Sequence, residues 1–149
     1  MPFICVYIHL VWTTKNRHPF LSSASVRREL WKHIRLNGRK NGIHVDHVGG
    51  WIDHCHCLVS LNSHHSLEVI LQLLKGESSN FVNQNLLLDA GFQWQQGYYA
   101  AAVEFERVPL VRKYIQNQEK HHEGQDFSAE YESMLHQMGF QKFENLNFQ

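Results

Sequence analysis

The sequence predicts an α+β fold on the ferredoxin-like (split βαβ) plan: an antiparallel sheet with helices on one face, plus C-terminal helices. Three observations predict it. β-Branched and aromatic runs alternate with stretches whose apolar residues recur every three or four positions, in the order β-α-β-β-α-β and then helices. The second and third apolar runs are separated by only a short turn, as in a hairpin. At 149 residues, of which 43% are hydrophobic and 19% charged, the chain (1–149) has the size and composition of one domain with a real core. In that plan the first and third strands are central neighbours.

The first strand is read over residues 3–14, which are β-branched and aromatic throughout. Lys15-Asn16-Arg17-His18-Pro19 follows as a basic turn, a form that suits either plain solvation or phosphate contact. Ser22 or Ser23 caps a helix over residues 24–40 with Val26, Leu30 and Ile34 as its core stripe. Its outer face is expected to carry Arg27, Arg28, Lys32, Arg35, Arg39 and Lys40, and Gly38 and Gly42 mark its end. Residues 43–50 and 54–61 form the second and third strands, and Gly49 and Gly50 are expected to leave open space beside the third.

Ser66 caps a second helix whose stripe is Leu67, Ile70, Leu71, Leu74 and Phe81. Gly76 inside that pattern costs about 1 kcal/mol relative to alanine, so a close backbone approach or a break is expected there. A connector (83–91) and an aromatic, amide-rich stretch (92–99) lead to a fourth strand over residues 100–106. Pro109 suits the first turn of a third helix, which runs to about His121 or His122 with Leu110 and Val111 in its buried stripe. Gly124 stops it, and Ser128 caps a last helix with Tyr131, Leu135 and Met138 on one face. Residues 143–149 resemble a protease-recognition linker with one substitution and read as a tail without function.

Composition narrows the function. A formal net charge of zero argues against a nonspecific nucleic-acid coat, because phosphate affinity comes largely from lysine and arginine. An enzyme acting on nucleic acid remains open where basic residues are grouped. An odd count of 3 cysteines fits free thiols in a reducing cytoplasm. No apolar run is long enough for a membrane span and no secretory signal is visible, so a cytoplasmic location without membrane attachment is expected.

The chemistry concentrates in His54-Cys55-His56 on the third strand. Residues i and i+2 of a strand share a face, so His54 and His56 aim side by side while Cys55, Cys57 and Val59 turn toward a core. Two parallel imidazoles on a rigid strand can chelate a divalent ion, though such a pair taken alone is more often a plain polar face. On the third helix, Tyr114 and Gln118 are four residues apart and project from one side. Tyr114 reads equally as core or as a nucleophile beside an ion; the Gln118 amide oxygen is a hard ligand able to complete a two-histidine site.

Together these residues resemble the one-tyrosine HUH transposases, which include insertion-sequence transposases and REP-associated tyrosine transposases. His54-Cys55-His56 is similar to the HUH motif and Tyr114-x-x-x-Gln118 to the tyrosine helix. Further matches are His9-Leu10-Val11-Trp12 through Lys15 and Arg17, Gly49-Gly50, Lys75-Gly76-x-Ser78-Ser79, Trp94-Gln95-x-Gly97-Tyr98, and Asn117-Gln118 with His121-His122. Cys55 stands where the family has a bulky apolar residue, and Glu104 and Glu106 add negative charge that many relatives lack.

The resemblance implies that His54, His56 and Gln118 hold one divalent ion, Mg2+ or Mn2+. It implies that Tyr114 attacks a phosphodiester of single-stranded DNA, forming a 5′-phosphotyrosine link and releasing a 3′-hydroxyl, with rejoining as the reverse. Recognition of DNA hairpins is implied, with Lys15, Arg17 and Lys75 as DNA contacts. So is a homodimer in which one chain's tyrosine helix can serve its partner's histidines. The alternative is a domesticated, non-mobile nucleic-acid-binding module of the same fold, for which none of the four site residues is needed.

Overall fold

The structure is a computed structural model that describes residues 2–85, 88 and 91–122. Tyr7–Thr13 (β1), His44–Trp51 (β2), His54–Ser60 (β3) and Tyr99–Val103 (β4) form one sheet in the order β2-β3-β1-β4. All three strand pairs are antiparallel. The histidine strand therefore lies mid-sheet beside β1, as the split βαβ order requires.

Register divides the sheet into two faces, because directly opposed residues project to the same side. Leu10 opposes Cys57 and Trp12 opposes Cys55. These side chains join Leu30, Ile34, Ile70 and Leu74 in the main core, under the helices Ala24–Lys40 (α1) and Leu67–Leu71 (α2). The other face carries His9, Val11, His54, His56 and Leu58. Leu58 packs there with Val108, Val111 and Ile115 of the helix Val108–Gln116 (α4). One face thus holds the bulk of the apolar core, and the other holds the histidines beneath one helix.

Cys55 and Cys57 are wholly buried in the main core, as the alternation predicts. Burial pushes the Cys55 thiol well above its ordinary pKa, and the neighbouring Cys57 adds to the shift.

Several boundaries differ from expectation. β1 begins at Tyr7, not residue 3, because its neighbours end where Tyr7 meets Ser60 and Val103; Phe3 is 93% exposed. β4 stops at Val103, and the Arg107 N–H bond to the Glu104 carbonyl turns the chain into α4. Glu104 and Glu106 therefore lie outside the strand, exposed. Ser23 caps α1 and Ser66 caps α2, each accepting a bond from the backbone N–H three residues on.

Arg27 does not join the basic outer face of α1; it is 5% exposed. Its guanidinium donates to the Leu21 and Ser22 carbonyls and to Glu119, and lies 4.6 Å from the Trp51 ring. Helical phase alone put it outward, but a long stem can turn back under the chain that precedes the helix.

Leu110 is likewise exposed, at 63%, because the buried stripe of α4 runs through Val108, Val111 and Ile115. The expected second helix is interrupted at Gln72–Gly76, where the turn widens so that the Glu77 N–H bonds to the Gln72 carbonyl. It resumes as Glu77–Gln84 (α3). The wide turn is the break expected at Gly76, and no close approach accompanies it: nothing lies within 4 Å of where its Cβ would stand. The Gly124 stop, the Ser128-capped helix and the tail 143–149 fall outside the described residues.

Candidate active site

β3 and α4 build the site between them. His54 and His56 project from β3 on the α4 side, both buried. α4 reaches them because β2 carries Gly49 beside β3: a Cβ there would stand 2.9 Å from the Ile115 carbonyl oxygen. The two glycines do not leave open space. Gly49 admits the backbone of α4, and a Cβ on Gly50 would lie 2.1 Å from the His54 carbonyl oxygen of the paired strand β3.

A bidentate ion pair fixes α4 laterally: Arg112 donates Nε–H and an NH2 proton to the two Asp46 oxygens, each at 2.8 Å. The Arg112 bonds are the chief cause holding Asp46 below the usual carboxylate range. Gln116 and His47 meet at 2.8 Å one turn further on.

So anchored, α4 brings the half-buried Tyr114 ring edge-on to His56, with centroids 5.4 Å apart. At Asn117 the helix is interrupted, and Gln118–His122 (α5) continues it. Gln118 nevertheless stays one turn below Tyr114, donating Nε2–H to the Tyr114 carbonyl at 3.3 Å. Its Oε1 lies 3.0 Å from His54 Nε2, and the side chain is buried. The structure therefore brings together all four residues singled out in the sequence: His54, His56, Tyr114 and Gln118, within one chain.

Two further residues complete the centre, and neither had been given a role from the sequence. Asp53 Oδ1 accepts from His54 Nδ1–H at 2.9 Å. His9, wholly buried on β1, places Nε2 2.9 Å from His56 Nδ1. Burial lowers the His9 pKa from 6.5 to about 4, so its ring is neutral at pH 7. Each was visible as a signal: a histidine inside an apolar strand, and a carboxylate next to a histidine.

The donor set fits a divalent ion. With each Nδ1 turned to a second residue, the Nε2 atoms of His54 and His56 are the ring nitrogens suited to ligation, with Gln118 Oε1 as a hard oxygen beside them. No group of three or more His, Cys, Asp or Glu side chains suited to a metal occurs among the described residues. Two imidazoles and an amide leave several positions for water and phosphate oxygens, which suits Mg2+ or Mn2+ better than a closed structural cage.

Of the expected DNA contacts, Arg17 stands near the centre. Arg17 Nε lies 3.8 Å from Asp53 Oδ2. Lys15 and Arg17 also line an open cavity of about 480 Å3 together with His18, Phe20 and Gln93. Their turn holds two successive non-glycine residues in the left-handed region, Asn16 at φ 54° and Arg17 at φ 55°. The Asn16 N–H bond to Gln95 Oε1 helps to hold it.

Lys75 does not belong with them. It is half-buried in the helical layer on the opposite face of the sheet, where it donates to the Gly97 carbonyl at 3.0 Å, and burial lowers its pKa. Ser78 in the same segment is also structural, accepting from Trp94 Nε1 at 3.0 Å. Trp94 is buried, whereas Tyr98 is 46% exposed.

Fold and site together define a ferredoxin-like domain with a histidine-pair and tyrosine centre. The chain belongs to the IS200-like transposase family, whose model matches residues 3–118. Among solved structures, it is similar to a protein of Deinococcus radiodurans R1 provisionally assigned as a transposase, with TM-score 0.62 and 24% identity over 79% of this chain and 95% of that one. It is also similar to a REP-associated tyrosine transposase bound to a REP hairpin, with TM-score 0.59 and 14% identity over 83% of this chain and 72% of that one. None of the curated proteins compared matches it. No described helix is long and apolar enough to cross a membrane.

Proposed function

We propose that this member of the transposase family cleaves and rejoins single-stranded DNA, with Tyr114 as nucleophile and a divalent ion held by His54, His56 and Gln118. The observation that carries the reading is the meeting of these four side chains in one place: the Tyr114 ring at 5.4 Å from His56, and Gln118 at 3.0 Å from His54. A bound Mg2+ or Mn2+ would polarise the scissile phosphate and offset charge that develops on its oxygens.

The chain's own groups do the rest. The Tyr114 oxygen, having lost its proton to solvent, forms a bond to phosphorus as the bond from phosphorus to the 3′-oxygen breaks. The products are a 5′-phosphotyrosine and a 3′-oxygen that takes up a proton. One phosphodiester replaces another, so the exchange is nearly balanced in energy and runs backward to rejoin the strand. Asp53 holds the His54 imidazole in place throughout.

The DNA strand is read as passing the cavity beside Lys15 and Arg17, where cations meet phosphates and His18 and Phe20 offer faces for bases. Hairpin DNA is the proposed substrate form, by likeness to the hairpin-bound relative. A homodimer is the proposed assembly, in which active sites can be shared between the chains.

The test is incubation with hairpin-bearing single-stranded oligonucleotides and Mg2+ or Mn2+, followed by denaturing electrophoresis. A covalent adduct that requires metal and disappears in Tyr114→Phe is the expected result. DNA binding without an adduct under any metal condition would overturn it in favour of a non-mobile binding module.

A further inference from the structure

His9 is a fully buried histidine in a strand otherwise built of apolar and aromatic residues. Its position follows from register: it opposes Leu58 and shares the sheet face of His54 and His56. Its ring is tilted 30° from that of His56, with centroids 5.1 Å apart, and Nε2 meets His56 Nδ1 at 2.9 Å. Two ring nitrogens at that distance share one proton, which one ring donates and the other accepts.

We propose that His9 is the positioning residue of His56, accepting the His56 Nδ1–H at its own Nε2 and so presenting His56 Nε2 to the ion. The inference rests on the metal reading above. It assigns His9 the part that Asp53 plays for His54 at 2.9 Å. The two ligands thereby receive different support, a carboxylate behind one and an imidazole behind the other. A metal-ligating histidine needs such an acceptor to fix its tautomer and its ring orientation. Bulk alone would not require a polar ring at this position; an aliphatic residue would fill the strand as well.

The first measurement uses wild-type protein with 15N-labelled histidine. At saturating Mg2+, ring nitrogen shifts and a coupling across the hydrogen bond should report a proton on His56 Nδ1 and none on His9 Nε2. A proton on His9 Nε2 would overturn the proposal.

The second compares Mn2+ affinity, by calorimetry, of wild type, His9→Leu and His9→Gln. Leucine removes the acceptor, and a loss of about 10- to 100-fold is expected. Glutamine returns an acceptor near the place of Nε2 and should recover most of it. Wild-type affinity in His9→Leu, or equal weakness in two folded variants, would overturn the assignment. Wild type that binds no ion at all would instead remove the metal reading on which it stands. Should neither variant fold, the nitrogen spectrum of the wild type decides alone.

Discussion

Gln118 Oε1 stands 3.0 Å from His54 Nε2 even though the helix from Tyr114 is interrupted at Asn117. The bond from Gln118 Nε2 to the Tyr114 carbonyl bridges that interruption and ties the proposed ligand to the proposed nucleophile. Gln118→Ala should therefore leave the fold intact and weaken Mn2+ binding by at least the roughly 10- to 100-fold typical of losing a supporting residue. Gln118→Glu keeps an oxygen ligand and should bind Mn2+ at least as well as wild type. Calorimetric titration of both variants checks this, and equal loss in the two would count against ligation by this side chain.

Arg27 joins the chain before α1 to Glu119 of α5. Its removal strands the Leu21 and Ser22 carbonyls and empties the space over Trp51. A hydrogen bond to a charged group contributes about 1.5–3 kcal/mol, so Arg27→Ala should lose at least about 2 kcal/mol in urea unfolding. Arg27→Lys should recover little, because one ammonium cannot reproduce the fork that meets two carbonyls and a carboxylate. Full stability in either variant would show that these bonds do not anchor α1.

What the sequence made legible follows the strength of each local rule. Period-two alternation put His54 and His56 on one face and Cys55 and Cys57 on the other, because a central strand permits no other phase. Helical spacing linked Tyr114 to Gln118 for the same reason. Arg27 and Leu110 were misplaced because helical phase gives a direction and not a neighbour: Arg27 bends back to carbonyls, and the stripe of α4 is narrower than its apolar content. The roles of His9 and Asp53 depend on strand register and turn geometry across distant residues, which no local pattern encodes. Lys75 shares a basic character with Lys15 and Arg17 but lies in the layer on the far side of the sheet, a matter of topology alone.

The Asp46–Arg112 pair should make the docking of α4 depend on pH. Asp46 also faces His44 and His47, and its pKa is lowered on folding. A carboxyl with a depressed folded pKa contributes stability that is present above its unfolded value of 3.8 and is lost as pH falls through the folded value. The stability difference between wild type and Asp46→Asn should be full at pH 7 and shrink below about pH 4. Urea midpoints at pH 7, 4.5 and 3 test it; a difference that grew as the pH fell would contradict the sign.

Thiol reactivity should separate the three cysteines. Cys5 is exposed, whereas Cys55 and Cys57 are buried with sulfurs 3.9 Å apart, and Cys55 is held protonated. A disulfide-exchange reagent at pH 8 should label Cys5 promptly and the other two only on unfolding, since the thiolate is the reacting form. Mass spectrometry of a time course reads this directly. Prompt labelling of Cys55 would mean that the main core opens under native conditions.

The same substitution at two glycines should have opposite signs. At Gly49 an added methyl would sit 2.9 Å from the Ile115 carbonyl oxygen and 3.2 Å from its Cγ2. Backbone cannot yield as a side-chain tip can, so α4 must move away from β2, at about 1–3 kcal/mol for overpacking. Tyr114 would move with it, and a displacement near 1 Å in a reacting group can cost about 100-fold in rate. Gly76 has helical dihedrals and nothing within 4 Å of an added Cβ. Gly76→Ala should therefore stabilise the protein by about 0.4–1 kcal/mol, chiefly by restricting the unfolded chain. Chemical denaturation of both variants gives the two signs, and metal-dependent adduct formation separates their effects on the site. Gly49→Ala should lose both stability and adduct rate, while Gly76→Ala should keep the wild-type rate. If Gly49→Ala matched wild type in both, α4 would not be docked on β2, and the approach of Tyr114 to His56 would need another cause.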